Sequence, residues 1–524
     1  MDTKALRQKI LDLAIRGKLV PQDPNDEPAS VLLGRIRQQK QQMVKEGKLK
    51  PKDIKNDSVI FVGEDNLHYE KFADDSVKCI EDEIPFELPD GWAWERLSNL
   101  ASFSGGKTPS TSRSEYWDGD ILWVTSKDMK RKYITSSQLR LSTLGAEQMQ
   151  MYQPDTLLLV TRSGILRHTL PVAILKECAT INQDLKAIIL YMPQLAEYIY
   201  VCLKGMETQL LLKYTKSGTT VENVNFDEFQ KVLLPIPPIQ QIDRIMSSTG
   251  SAESVVSTIE DDKAALADYV IKAKSKILDL AIRGQLVPQD PDDEPASVLL
   301  ERIRAEKEEL IKQGKIKRDK KESVIFRGED NSYYEKIGDK VENISDEIPF
   351  ELPDGWMWCR GRSCFLGMES TKPQGEFFDY IDIDAIDNRL HRIKTAKHLP
   401  VPEAPSRASR AVKTGSVLFS LVRPYLENIA LVEEVHSHCI ASTGFYVCSS
   451  NGILLPQFMF FLMISSYVVS GLNQYMKGDN SPSISKDNIE SWLYPVPPMA
   501  EQKAICTKLK KVFNLIEKVE KSLS

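Results

Sequence analysis

The chain carries one unit twice, and that repeat limits its possible folds more than any other feature. The string KILDLAIRG at residues 9–17 recurs at 276–284, and VPQDPNDEPASVLL at 20–33 recurs as VPQDPDDEPASVLL at 287–300. SVIF at 58–61 returns at 323–326, and DEIPFELPDGW at 82–92 returns at 346–356. Similarity then collapses, and comes back weakly as LPIPPIQQ at 234–241 against YPVPPMAE at 494–501. Each half is thus a near-identical frame around a divergent insert. The reading divides the chain into a helical and connecting region at 1–91 and an insert at 92–234. A long helix at 235–284 follows, then a second connecting region at 285–355, a second insert at 356–494 and a last helix at 495–524.

The Pro-rich exit of the first insert leads into a seam of apolar residues at steps of three and four. It runs through Ile242, Ile245, Ala252, Val256, Ile259, Leu266, Val270, Ala273, Ile277 and Leu280, with polar Thr249 and Lys263 in two seam positions. This is heptad spacing, which predicts a coiled coil. At ~1.5 Å per residue, some forty residues make a rod of about 60 Å. Gly284 and Pro288 mark its end. The second copy holds Ile505, Leu509, Val512, Ile516 and Val519, and its missing remainder lies at the other end of the sequence. There Leu6, Ile10 and Leu13 are the counterparts of Ala273, Ile277 and Leu280. The expectation is a cyclic pair, with one arm split between the termini and two long helices pairing antiparallel across a pseudo-two-fold axis. Two unrelated tandem domains would leave the split arm unexplained.

Both inserts show the same order of short strands and then a helix. In the first the strands are placed at 121–124, 156–160, 172–175 and 186–190, with a helix at 195–213. In the second they are placed at 380–383, 416–421, 429–432 and 445–448, with a helix from 456 to about 475. The fold class expected is α+β, with two mixed α/β modules held by long helices.

Polar loops interrupt these strands. In the first insert they carry Lys107 and Thr108, then Ser126, Lys127, Lys130 and Arg131, then Arg162, Ser163 and Arg167, and finally Lys216, Ser217, Thr219 and Thr220. In the second they carry Lys372 and Gln374, Arg389 and Arg392, Arg423 and Tyr425, and Lys477, Asp479, Asn480 and Ser481. Arg and Lys neutralise phosphates or grip guanine edges, and amide and hydroxyl side chains complete base readout. One basic loop is weak evidence, because such loops are often merely solvated. Recurrence in matching loops of two inserts is stronger.

Composition restricts the alternatives. The net charge of −6 argues mildly against a nucleic-acid role, but the charge is unevenly placed, with acidic clusters in the frame and basic ones in the insert loops. Eight cysteines without a CxxC pair oppose a zinc ribbon or a disulfide framework. No apolar run reaches membrane-spanning length and the first residues lack a secretory signal, so a cytoplasmic protein with no membrane contact is expected. Catalytic readings fail one by one. GKT at 106–108 lacks the upstream glycine of a phosphate-binding loop and is followed by Pro109. Alternation puts Asp382 and Asp384 on one strand face, without the partners of a metal-dependent nuclease. His436, His438 and Cys439 lack a fourth metal ligand.

At this point the residues resemble the specificity subunits of Type I restriction–modification systems. The marks are the LPDGW leading into each insert, GGKTPS with YWDGDILW, and the PIPP and PVPP exits before a helix. The second insert begins ESTKPQ at 369–374 in place of GGKTP, which points to another branch of recognition domain. The resemblance implies two target-recognition domains held apart by antiparallel helices, each reading half of a split DNA site. It also implies two methyltransferase subunits docked on the repeated frame, with restriction subunits joining them. S-adenosylmethionine, ATP and Mg are expected in those partners, and no catalytic site, metal or cofactor in this chain. The rival readings are a bivalent coiled-coil adaptor that binds two proteins and no DNA, and a fused restriction enzyme, which the missing methyltransferase motifs oppose.

Overall fold

The computed structural model describes residues 2–51, 54–55, 57–216, 221–316, 318 and 321–523. The chain divides into two units, Met1–Asp262 and Lys263–Ser524, with a 44-residue helix, Ile239–Ile282, running across the boundary. No helix among the described residues is long and apolar enough to cross a membrane.

Within the first unit, the helix Thr3–Ile15 buries Ile10, Ala14 and Ile15 and packs against the helix Ala196–Gly205. It stops at Gly17, which takes φ +66°, and a Cβ there would lie 2.5 Å from Pro89. Glycine is therefore required twice over, for the left-handed turn and for the approach of the LPDGW loop. Gly284 repeats this in the second unit, with φ +68° and Pro353 at 2.4 Å.

The frame sheets repeat as well. Ser58–Val62 pairs antiparallel with His68–Phe72, with Ser58 opposite Phe72, and Ser323–Arg327 pairs with Tyr333–Ile337, with Ser323 opposite Ile337. The strands leading into and out of each insert pair with each other, Ala93–Arg96 with Leu233–Ile236 and Met357–Arg360 with Leu493–Val496. An arginine closes each frame. Arg96 binds Glu70 at 2.7 Å and Glu83 at 2.8 Å, and Arg360 binds Glu335 and Glu347, each at 2.8 Å. Burial pushes the Glu83 carboxyl up, but the Arg96 guanidinium and Lys78 ammonium outweigh it and hold the pKa at about 2.

The helices along the seam meet within each unit. Arg7 reaches Glu253 at 2.9 Å and Glu260 at 2.5 Å, and in the second unit Lys274 reaches Glu520 at 2.8 Å. By the repeat, Arg7 corresponds to Lys274 and Glu260 to Glu520. Of the seam residues, Ile10, Ile245, Val256, Val270 and Leu509 are buried, and Leu6, Ile259, Ile277 and Ile516 are half-buried. Leu266 departs from the spacing and is 40% exposed. In the second unit the facing helix, Met499–Leu523, already meets Lys274 close to its last turn, and residues 264–269 are exposed throughout.

Each insert folds as sheets over helices. The first has a five-stranded sheet in the order Ala101–Gly105, Leu185–Leu190, Leu157–Val160, Val172–Leu175, Tyr133–Ile134. Beside it lies a three-stranded sheet of Ala179–Ile181, Trp117–Val124 and Leu139–Leu141. The second insert keeps the middle of this plan, Ile429–Leu431, Val417–Ser420, Phe445–Cys448, and adds a four-stranded sheet. The single helix expected after the strands is two in both inserts. Ala196–Gly205 is followed by Glu207–Tyr214, and Pro456–Met463 by Ser466–Asn473. Ser465 breaks the second pair by capping, its side chain accepting from Val468 N–H. Apolar periodicity spans such a break because packing continues across it.

Candidate nucleic-acid interface

The loops singled out in the first insert converge on one end of its sheets. Leu157–Val160 runs antiparallel to Val172–Leu175 and Leu185–Leu190, so the end of the first lies beside the starts of the other two. Ala101–Gly105 also pairs antiparallel with Leu185–Leu190, so its end, at Gly105, lies on the same side. Hydrogen bonds then tie the loops in series. Lys107 N–H donates to Ile181 carbonyl at 3.1 Å, Thr108 hydroxyl to Gln183, and Asn182 N–H to Val124 carbonyl at 3.0 Å. Thr161 N–H donates to Asp184 carbonyl at 2.8 Å, Val224 N–H to Thr161 carbonyl at 2.9 Å, and Ser163 N–H to Glu222 carbonyl at 3.2 Å. Lys107, Arg162 and Lys216, far apart in sequence, therefore share one ridge.

Ser126 and Lys127 join it through a turn that Asp128 holds. The Asp128 carboxylate accepts from Thr125 N–H at 2.8 Å and Gln138 N–H at 2.8 Å. Lys130 and Arg131 precede Tyr133–Ile134, which pairs parallel with Val172–Leu175, and so lie toward the same end. Lys107, Lys127, Lys130, Arg131 and Arg162 are exposed and have no carboxylate partner among the described residues. Arg167 is different, because its guanidinium is paired with Glu222 and holds that carboxyl below its ordinary value. Ser217, Thr219 and Thr220 lie outside the described residues.

Gly106 shows how this loop is held to the sheet. A Cβ on it would sit 2.1 Å from Ile181 carbonyl oxygen, so its backbone is pressed onto a strand. The next described helical element, after Pro109, is a single turn at Ser114–Tyr116. A phosphate-binding loop leads into a helix with its amides free, whereas here the Lys107 N–H is taken by Ile181 carbonyl and only a single turn follows.

The second insert builds the same end with other chemistry. Leu421 N–H donates to Gly444 carbonyl at 2.8 Å, Ile484 N–H to Leu421 carbonyl at 2.9 Å, and Arg423 N–H to Pro482 carbonyl at 2.7 Å. The loop after the central strand thus rests on the segment carrying Lys477, Asp479, Asn480 and Ser481, all exposed. Arg423 takes a left-handed φ of +47° and donates from Nη2 to Asn480 carbonyl at 2.9 Å. It fixes one loop to the other. Glu427, four residues on, is also left-handed at φ +54°. Non-glycine residues in this region store strain that the surrounding contacts must offset. Between the two, Tyr425 and Leu426 stand 45% and 40% exposed. In the first insert Ile165, 46% exposed, holds the matching place in the turn Gly164–Arg167. Sequence reading selected Tyr425 but missed Ile165 and Leu426, because an apolar residue at a turn gives no signal until its exposure is known.

Arg389 and Arg392 belong to the hairpin of Ile386–Asp387 and Arg392–Ile393, which Asn388 ties to Leu426 carbonyl at 2.8 Å. His391 in its turn lies 3.7 Å from Glu427. Burial pushes the Glu427 carboxyl up and the His391 imidazole down, so both lean to the neutral form. Lys372 and Gln374 are exposed just after Thr371, whose N–H donates to Ser409 carbonyl at 3.0 Å.

One sequence expectation changes in this insert. Asp382 and Asp384 do not share a strand face, since the strand ends at Ile381 and Asp382 caps the single turn Ile383–Ala385. Asp384 instead pairs with Lys397 at 2.8 Å. His438 and His398 both bind Asp379, at 2.7 and 2.9 Å. No group of three or more His, Cys, Asp or Glu side chains among the described residues is suited to a metal ion.

Fold and site together define a chain with two loop-bearing α/β modules, each set on a copy of one frame. A family model described as the Type I restriction modification DNA specificity domain matches residues 89–252. The chain is 26% identical to the specificity subunit of the Type I restriction enzyme EcoAI from Escherichia coli, over 99% of this chain and 90% of that one. It is 25% identical, over the same shares, to the specificity subunit of EcoEI from Escherichia coli. A solved HsdS subunit from Thermoanaerobacter tengcongensis is 34% identical over 33% of this chain and 46% of that one, with a TM-score of 0.32. The chain therefore carries a Type I restriction modification DNA specificity domain at residues 89–252 and is similar along nearly its whole length to Type I restriction enzyme specificity subunits.

Proposed function

We propose that this chain gives a Type I restriction–modification complex its DNA sequence specificity, with each insert reading one half of a split, asymmetric double-stranded site. The observation that carries this reading is the convergence of separate loops on one end of each insert, with cations left unpaired by carboxylates. Phosphate contacts from Lys107, Lys127, Lys130, Arg131 and Lys216 would position the first insert, and those from Lys372, Arg389, Arg392 and Lys477 the second. Base readout would fall to side chains among these cations, Thr108, Ser126, Arg162 and Ser163 in one insert and Gln374, Asn480 and Ser481 in the other. Exposed Ile165, Tyr425 and Leu426 suit thymine methyl groups in the major groove.

The helical seam would act as a coiled-coil ruler with pseudo-two-fold arrangement, since half-sites read from one face lie about one helical turn apart. The repeated frame would bind one partner twice, namely two methyltransferase subunits, with restriction subunits added to them. S-adenosylmethionine, ATP and Mg belong to those partners, in which the target adenine is flipped out of the duplex. The cytoplasm, where the DNA is, is the proposed location. Methylome sequencing of a strain with and without this gene tests the reading. One split adenine motif should vanish with the gene, and an unchanged methylome beside active partner subunits would refute it.

A further inference from the structure

The two frames part at one buried place. In the first unit the buried Glu95 carboxylate accepts from Asn99 Nδ2 at 2.6 Å and Arg96 N–H at 2.9 Å, and lies 3.7 Å from Arg37. Beside it Lys40, 1% exposed, donates to Asp57 at 2.6 Å and to Asn99 carbonyl at 3.3 Å. Burial pushes the Glu95 carboxyl up in pKa, and the donors around it oppose that rise. Two cations thus face two carboxyl groups.

The repeat maps Arg37, Lys40 and Asp57 onto Arg304, Lys307 and Glu322, but replaces Glu95 by Cys359 and Asn99 by Ser363. Lys307 keeps its carboxylate, Glu322, at 2.9 Å. Arg304 has no carboxylate or hydrogen-bond partner among the described residues. A cavity of ≈ 20 Å³ lies here, lined by Arg304, Lys307, Cys359 and Ser363 and by Glu322, the carboxylate that Lys307 holds; by the repeat it corresponds to the place of the first unit's Glu95. Lys307 is correspondingly more open, with its side chain 26% exposed. Space of that size admits one water or one ion of similar size. Arg304 is partly buried, and an anion in the cavity would give its guanidinium a direct counter-charge.

We propose that this cavity of the second unit is a binding site for a small monovalent anion of halide size, which takes the role of the carboxylate lost at Cys359. Arg304 supplies the charge, and the Ser363 hydroxyl, which replaces Asn99, donates to Ser323 carbonyl at 3.5 Å and would have to turn to reach the anion. The first unit is its own control, because there the position is filled covalently.

Crystals of the full chain soaked in sodium bromide test this through anomalous scattering. A bromide peak is expected against Arg304 in the second unit, with none at Glu95 in the first. The peak should vanish in Cys359→Glu, which restores the carboxylate, and in Arg304→Gln, which leaves the cavity open but removes the charge. The double substitution Glu95→Cys with Asn99→Ser should create a second peak in the first unit. A cavity holding water without anomalous signal would overturn the proposal, as would a peak that persists undiminished in Arg304→Gln. Should a buried substitution fail to fold, the unsubstituted chain and Arg304→Gln still decide the matter.

Discussion

The turn after the central strand is held down in both inserts, but by different means. In the first insert a side-chain pair does it, Arg167 with Glu222. In the second, Arg423 donates to the backbone carbonyl of Asn480 and accepts a left-handed backbone to do so. The frames beneath are alike down to the ion pairs of Arg96 and Arg360. The difference shows where identity matters in this chain. Frame contacts are fixed by the need to support any insert, whereas the loops need only a rigid base, and several chemistries provide one.

The strongest way to break this comparison is to exchange a whole insert. Replacing residues 92–234 with another insert of the family should replace one half of the methylated motif and leave the other intact. Methylome sequencing reads this directly, and a change in both halves would contradict independent modules. Next in size is the frame. Arg96→Ala leaves Glu70, whose side chain is 5% exposed, without its partner and should cost about 3–5 kcal/mol in denaturant unfolding. Arg360→Ala should cost a similar amount in the second unit, and a much smaller loss would mean the frames are not equivalent.

The two clamps give a sharper contrast. Glu222→Ala removes the side-chain anchor of the first insert and should weaken binding to DNA carrying its half-site about tenfold, roughly 1.4 kcal/mol. Asn480→Ala keeps the carbonyl that Arg423 uses, so the clamp of the second insert should persist, and any loss there reports only direct contact by the amide. Fluorescence anisotropy with half-site duplexes separates the cases, and equal loss of turn rigidity in both would undo the distinction.

Acid should reveal the Glu83 contribution. Its folded pKa of about 2 lies below its ordinary 4.5, so the stabilisation is complete above pH 4.5 and is lost as pH falls toward 2. Glu83→Gln should flatten the stability profile in that window, and an unchanged slope would show that Arg96 does not need it. The smallest effect is expected at the seam. Lys274→Ala and Arg7→Ala each remove partly exposed ion pairs and should cost less than about 1 kcal/mol. A larger loss, measured by thermal melting, would mean these pairs are shielded from solvent.

Much of the architecture was legible in the sequence because the repeat is nearly exact where packing is strict. KILDLAIRG ends in a glycine that a left-handed turn against a proline explains, Gly17 against Pro89 and Gly284 against Pro353. Short-range patterns also placed Val172–Leu175 and Phe445–Cys448, whose residues are all buried. Patterning failed at Asp382 and Asp384, where a cap ends the strand two residues early, and at the paired helices, where an apolar stripe continues through a break.

The amino-acid sequence by itself determined the two-frame plan, the inserts' order of strands and the basic character of their loops, because each follows from local periodicity or from direct repetition. Tertiary structure decided which loops meet. Nothing in the spacing joins Lys107 to Ile181, Thr108 to Gln183, or Arg423 to Asn480, since antiparallel pairing brings together strand ends many residues apart. Structure alone also decided which charges are free. Arg167 and Arg423 read as equals of Arg162 and Lys477 until their partners are seen, because pairing depends on distance in space.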